Sequence, residues 1–206
     1  MLLEIHPENP DQRKIDQVIA AIKNGGVVII PTDTIYALAC DIYSHKAIDK
    51  VCRIKNVKLE KSNFSFLCSD LANISKYTRA FDRRIYKMLN RALPGPYTFI
   101  LEAGSEVPSI FRAKKKTIGI RIPDNKAVQM IIQGVGNPLM STSLHDLDDI
   151  VAYPTDPNVI FEMYEHSVDI IVDAGYGGNT GSTVVDCTGN EPEIIRQGIG
   201  STDVLL

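Results

Sequence analysis

Val27-Val28-Ile29-Ile30-Pro31-Thr32-Asp33-Thr34-Ile35-Tyr36 is the stretch on which the fold turns. Four consecutive apolar residues are too short for a helix and suit a strand buried on both faces. The run stops at Pro31, and hydroxyls flanking a carboxylate follow. Polar residues just beyond the carboxyl end of a sheet strand commonly line ligand crevices. Upstream, Asn9-Pro10-Asp11 opens a helix with Ile15, Val18, Ile19 and Ile22 on one face, and Gly25-Gly26 closes it. Downstream, helical patterns over 46–55, 81–93, 126–133 and near 159–164 mix with strand patterns over 64–68, 97–101, 117–122, 138–142, 169–172, 183–187 and 193–196. Strands and helices do not alternate strictly. The expectation is an α/β (α+β) protein, one twisted mixed parallel and antiparallel sheet with flanking helices, as a single domain over 1–206.

Composition narrows the function classes. The 206 residues are 44% hydrophobic and 23% charged, with a net charge of −3, which argues against a uniformly basic coat or a polyacidic tail. The sum hides a block: 46–126 holds 18 Lys and Arg against 7 Asp and Glu, a local +11, and the remainder is −14. That block reads either as a face built for anions or as a solvated basic surface on mid-chain helices. The acidic, proline-broken start lacks the form of a secretory signal, and no apolar run nears the ~20 residues that cross a bilayer. Cys40, Cys52, Cys68 and Cys187 sit in apolar stretches without paired spacing, as reduced core thiols of a cytoplasmic protein would. His6, His45, His145 and His166 form no ligand motif, so no tightly bound metal is expected.

Common phosphate cradles are absent. There is no G-x-x-x-x-G-K-[ST], and the glycines over 175–181 lack dinucleotide spacing and read as a tight loop. Three hydroxyl-rich strand ends stand instead: Thr32 to Thr34, Ser141-Thr142-Ser143, and Ser182-Thr183. Such hydroxyls either hydrogen-bond phosphate or carboxylate oxygens or cap ordinary turns. Arg121 and Arg196 interrupt apolar strand runs, so each lies on an exposed face or pairs with an anion through its planar fork. Ser143, His145 and Asp146 are too close in sequence for triad geometry.

Taken in order, these segments resemble the YrdC/YciO family, whose best-known members are threonylcarbamoyl-AMP synthases. Pro31-Thr32-Asp33-Thr34-Ile35-Tyr36-Ala37-Leu38 is similar to P-T-D-T-x-Y-G-L, and Pro94-Gly95-Pro96-Tyr97-Thr98 to P-G-P-x-T. Arg121-Ile122-Pro123 fits R-x-P, Ser141-Thr142-Ser143 fits S-T-S-A-N, Ser182 to Asp186 fits S-T-[VI]-[VI]-D, and Arg196 to Ile199 fits R-x-G-x-[IV]. The resemblance implies a concave basic cavity on the sheet and a reaction joining L-threonine, bicarbonate and ATP. By its analogy, Thr32, Thr34, Tyr36, Asn63, Arg121 and Thr142 surround the substrate. Lys55, Ser141, Ser143, Ser182 and Arg196 hold the nucleotide (ATP or AMP), with Lys55 also the catalytic cation. ATP would be a substrate carrying Mg²⁺ with it. Implied partners are tRNA or double-stranded RNA and tRNA-modification proteins, with no membrane.

Three departures bear on the activity. K-x-R-P becomes Lys55-Asn56-Val57-Lys58, S-T-S-A-N becomes Ser141-Thr142-Ser143-Leu144-His145, and the glycine after the tyrosine is Ala37. The first two, with Ile5-His6-Pro7 and Asn63-Phe64, are similar to the YciO branch. Val57 removes a charged fork from a phosphate-binding segment. The alternatives to synthesis are RNA binding without catalysis, or a related threonylcarbamoyl hydrolase with His145 as acid/base.

Overall fold

The two-sided burial expected of 27–30 organises the computed structural model, which describes residues 1–113, 115–144 and 153–205. In chain order the elements are β1 (Leu2–Glu4), α1 (Gln12–Lys23), β2 (Val28–Ile30), β3 (Ala37–Asp41) and α2 (His45–Ile54). Then come β4 (Ser65–Leu67), α3 (Leu71–Tyr77), α4 (Arg83–Ala92), β5 (Tyr97–Glu102), α5 (Ser109–Arg112) and β6 (Thr117–Arg121). The chain continues through α6 (Lys126–Val135), β7 (Leu139–Ser143), α7 (Pro157–Tyr164), β8 (Ile170–Asp173), β9 (Thr183–Asp186) and β10 (Glu193–Arg196). All the strands join one sheet in the order β1-β8-β2-β3-β7-β4-β6-β5-β9-β10. The sheet is mixed: β2 runs parallel to β8 and antiparallel to β3, and β5 is antiparallel to β6 and parallel to β9.

Side chains alternate across a strand, so each buried strand feeds two cores. Val28 and Ile30 pack with Ile15, Val18 and Ile22 of α1 and Ala127, Val128 and Ile131 of α6, joined by Ala39, Leu67, Leu139 and Val172. Val27 and Ile29 belong to the opposite core, with Ala47, Ile48 and Val51 of α2, Ile74 of α3, Leu89 of α4 and Ile160 of α7. Caps set the helix starts: the carboxylates of Asp11, Asp70, Asp82 and Asp156, the Ser44 hydroxyl and the Asn125 amide oxygen each accept a first-turn N–H. Gly136, at φ 92°, ends α6 in the left-handed region that glycine tolerates best.

The two layers are unequal, and that places the site. The α1/α6 core touches β2, β3, β4, β7 and β8 but takes no residue from β5, β6, β9 or β10. On the latter half the other face is fully packed, with Ile118, Ile120, Phe99, Leu101 and Val185 buried there, whereas on the α1/α6 face Thr98 and Arg121 are buried but Thr117, Gly119, Ile100 and Val184 are half-exposed. Half the α1/α6 face of the sheet is thus left without a helix among the described residues.

A polar clamp closes the end of the β2–β8 ladder at which both strands begin. The Asp169 carboxylate accepts from the Val27 N–H at 2.8 Å and from Lys50 Nζ at 2.9 Å. Burial alone would raise the Asp169 pKa, but the Lys50 ammonium and the Val27 N–H outweigh it and hold it below 3.8. Asp169→Ala leaves the Val27 N–H without its partner, and a loss of about 1–3 kcal/mol is expected in urea unfolding. The ionised carboxylate's contribution is present above pH 3.8 and disappears as the pH falls through the lower folded value, so the deficit should shrink in acid. No helix among the described residues is long and apolar enough to cross a membrane.

Candidate functional site

The register of the sheet decides which hydroxyls meet. Ser141 lies opposite both Ala39 and Ser65, Ser65 lies opposite Gly119, and Ser143 lies opposite Ala37. Arg121 lies opposite Leu67, and Arg196 opposite Val184. Opposed residues share a face, so Ser141, Ser143, Ser65, Gly119, Arg121, Val184 and Arg196 all belong to the α1/α6 face. Gly119 lets its neighbours approach closely at the middle of this face: a Cβ there would sit 3.0 Å from Ser65 Oγ and 3.3 Å from Thr98 Cγ2. Thr142, opposite Leu38, points to the other core.

Beyond β2 the chain folds back on itself through Thr32. Its Oγ accepts from the N–H groups of Thr34 and Ile35 at 3.1 and 3.2 Å, and lies 3.0 Å from the Thr34 hydroxyl. This compact turn delivers Asp33 and Thr34 to Arg121. The Arg121 guanidinium donates to Asp33 Oδ1 at 2.9 Å and to Thr34 Oγ1 at 3.1 Å. Both charged side chains are only 9% exposed. Arg121 Nε and Asp33 Oδ2 nevertheless lack a hydrogen-bond partner among the described residues. Buried polar atoms seldom stay unpaired, so this buried ion pair retains hydrogen-bonding capacity that its neighbours do not fill.

Burial drives the electrostatics here. It raises the Asp33 pKa above 3.8, and the pull of Arg121 and of nearby backbone N–H dipoles only partly offsets it. It lowers Arg121 below its ordinary value against the attraction of Asp33, and repulsion from Arg196 adds to the lowering. The two arginines therefore feel one another across the face. Arg196 is anchored from behind: its guanidinium donates to the Ser182 carbonyl at 2.9 Å, and the Ser182 hydroxyl lies 2.7 Å from that of Thr98.

Glycines hold this geometry by close approach. At Gly178 a Cβ would fall 1.9 Å from the Thr34 carbonyl oxygen, and at Gly177 2.6 Å from the Tyr36 ring. At Gly198 it would fall 2.2 Å from the Gly181 carbonyl. The tight loop expected over 175–181 is thus pressed against the Thr34–Tyr36 segment. Tyr36 is 1% exposed, and its hydroxyl donates to the Gly175 carbonyl at 2.7 Å. Burial pushes that phenol up to about 12. Its visible work is to fix the glycine loop.

Thr32, Thr34, Arg121, Ser141, Ser143, Ser182 and Arg196 are therefore gathered on or beside one sheet face. Lys55 ends α2, in the opposite layer, and is buried. Asn63 is exposed, and its Oδ1 accepts from Lys115 Nζ at 2.8 Å. Val57 follows Asn56, whose φ of 52° is left-handed, and the Val57 N–H returns to the Cys52 carbonyl at 3.0 Å. That pattern is a Schellman close to α2, in which an apolar residue is ordinary at the Val57 position. His145 and Asp146 lie outside the described residues. Sequence reasoning passed over Asp33, Ser65, Thr98 and Gly119. Asp33 and Thr98 enter the sequence reading only as parts of motifs, and Ser65 and Gly119 carry no signal until strand neighbours are known. No three His, Cys, Asp or Glu side chains among the described residues converge as a metal site would need.

Residues 20–198 match the Sua5/YciO/YrdC family model, described as "Telomere recombination". The chain is 38% identical to YciO of Escherichia coli over 98% of its own length and 97% of that protein's. The crystal structure of E. coli YciO superposes with a TM-score of 0.91, at 37% identity, covering 100% of this chain and 99% of that one. A threonylcarbamoyl-AMP synthase of Bos taurus is 30% identical over 91% of this chain and 70% of its own. The fold is also that of P. abyssi Sua5 complexed with L-threonine, with a TM-score of 0.87 at 21% identity, covering 96% of this chain and 57% of that one.

Proposed function

The chain belongs to the Sua5/YciO/YrdC family, and from that premise we propose that it binds L-threonine and ATP on the helix-free sheet face and forms threonylcarbamoyl-AMP. The observation that carries the reading is the buried Arg121–Asp33–Thr34 cluster beside Ser182 and Arg196. Two arginines and several hydroxyls converge there, with one cationic donor and one carboxylate oxygen unpaired. Such a set suits a ligand that bears both an anion and an ammonium, next to a phosphate.

In the proposed reaction the threonine amine takes up bicarbonate with loss of water, giving a carbamate. A carbamate oxygen then attacks the ATP α-phosphorus, and pyrophosphate leaves. No covalent protein intermediate is needed; positioning and cations on the phosphate oxygens supply the catalysis. Arg121 takes the threonine carboxylate, with Thr32 and Thr34 around it. Arg196, Ser141, Ser143 and Ser182 hold the nucleotide, and Mg²⁺ travels with the phosphates. Lys55, which caps α2 in the opposite layer, and Asn63, which accepts from Lys115, take no part in this arrangement. The product would pass to a protein that modifies tRNA.

Gly119 provides a test that spares the charged groups. In Gly119→Leu the side chain crowds Ser65 and Thr98, whose side chains must give way, and covers the face. Calorimetric titration should find threonine and ATP binding weakened at least tenfold with the fold retained. Unaltered affinity would remove this face as the site. Binding without turnover is the second reading, favoured by Val57, which is 37% exposed where the resemblance has arginine. Val57→Arg adds a charged fork there and should raise pyrophosphate release by about tenfold, the worth of one charge-assisted contact. An unchanged rate would place the limiting step elsewhere.

A further inference from the structure

On the opposite layer from this site, α4 carries a second charged surface. Arg83, Tyr86, Lys87, Asn90 and Arg91 recur at i, i+3, i+4, i+7 and i+8, one face of a helix, and all are exposed. With Arg84 they form one continuous exposed surface. The opposite stripe, Ile85, Met88, Leu89 and Ala92, is buried in the core. The helix therefore has no free apolar face with which to enter a lipid surface.

The charges in the first turns of α4 are arranged against its own stability, whereas Arg91 in the last turn suits the helix dipole. Its first turn contains Arg83 and Arg84 and no acid, where the helix dipole disfavours cations. Arg83 and Lys87, and Lys87 and Arg91, are like-charge pairs four residues apart, a spacing at which they repel. Only Arg84 is neutralised, by Asp82 and Glu191; among the described residues no carboxylate lies within ion-pairing distance of Arg83, Lys87 or Arg91. A local conflict of this kind is expected where an external partner resolves it.

We propose that this face docks a single nucleic-acid strand, its phosphates on Arg83, Lys87 and Arg91 and an unpaired base on the Tyr86 ring. The three cations rise by one helical turn each, about 6 Å, which gives them the stepwise spacing of a phosphodiester chain. Tyr86, 47% exposed between them, offers a flat aromatic surface, and Asn90 beside it offers an amide that donates and accepts. An acidic peptide would answer the charges but would leave the aromatic surface unused.

The test is fluorescence anisotropy with a labelled oligouridylate, with polyglutamate of matched charge as competitor. The unsubstituted protein should bind with a log–log salt slope of about −2, as three phosphate contacts to a single strand require. The combined Arg83→Gln, Lys87→Gln and Arg91→Gln variant should lose at least tenfold in affinity while melting close to the parent, because the like-charge repulsion it relieves offsets the loss of the Arg91 contact with the Leu205 carbonyl and of a cation in the last turn. Tyr86→Ala should lose about fivefold or more, the worth of one stacked base. Absence of binding, affinity unmoved by these changes, or equal competition by polyglutamate overturns the proposal. So does a loss confined to Arg196→Ala, which would move the contact to the other face. Because α4 and the Arg121 face lie on opposite layers, either result leaves the threonine and ATP reading to its own test.

Discussion

Replacing Arg121 with Met is expected to lower stability by about 3–5 kcal/mol, because the Asp33 carboxylate is then buried without its cation. The pair is 9% exposed on each side, so water cannot take over the role of the guanidinium. The pH dependence identifies the cause. Burial already raises the Asp33 pKa above 3.8, and loss of Arg121 raises it further. Between 3.8 and that folded value the native state holds a proton that the unfolded chain has released, so stability falls as pH rises through the interval. The Arg121→Met deficit should therefore be smallest in acid and largest near neutrality. Adding Asp33→Asn should recover much of it, since the double variant buries no lone charge. Urea unfolding of the four proteins at two pH values is the measurement. Additive losses without pH dependence would mean that Arg121 acts by packing alone.

Gly178→Ala should disturb the site from behind. The added Cβ would stand 1.9 Å from the Thr34 carbonyl oxygen, a backbone atom that cannot rotate away. The loop must lift, which separates Gly175 from the Tyr36 hydroxyl and frees the turn that holds Thr34 against Arg121. Forcing a methyl into such a contact costs about 1–3 kcal/mol. Affinity for threonine should fall more than tenfold, a greater effect than the stability loss alone explains. A variant that melts lower but binds threonine normally would show that the glycine loop is scaffold only.

The sequence made the strand at 27–30 legible because burial on both faces leaves an unbroken apolar run. It also marked α1 and α4 through their spacing and the arginines at 121 and 196 through their intrusion into apolar strands. Ala37–Asp41 escaped as a strand. Ala-Leu-Ala-Cys is an apolar run too, but its two alanines carry little strand preference and it continues directly from a motif that reads as loop. Leu2–Glu4 escaped because three residues carry no period; its pairing with β8 gives it form. The separation of Thr142 from Ser141 and Ser143 follows from strand geometry alone, since adjacent residues on a strand face opposite ways. The pairing of Asp33 with Arg121 does not. It depends on β3, β7 and β4 lying between β2 and β6, and no local pattern encodes that strand order. The bareness of half the sheet was equally invisible, because it reflects where α1 and α6 fail to reach.

Pyrophosphate release is the most direct test of threonylcarbamoyl-AMP formation on this face. With ATP, L-threonine and bicarbonate all supplied, the account predicts steady release that stops when threonine or bicarbonate is withheld and that Gly119→Leu abolishes. Folded protein that binds threonine and ATP yet releases no pyrophosphate under these conditions contradicts it.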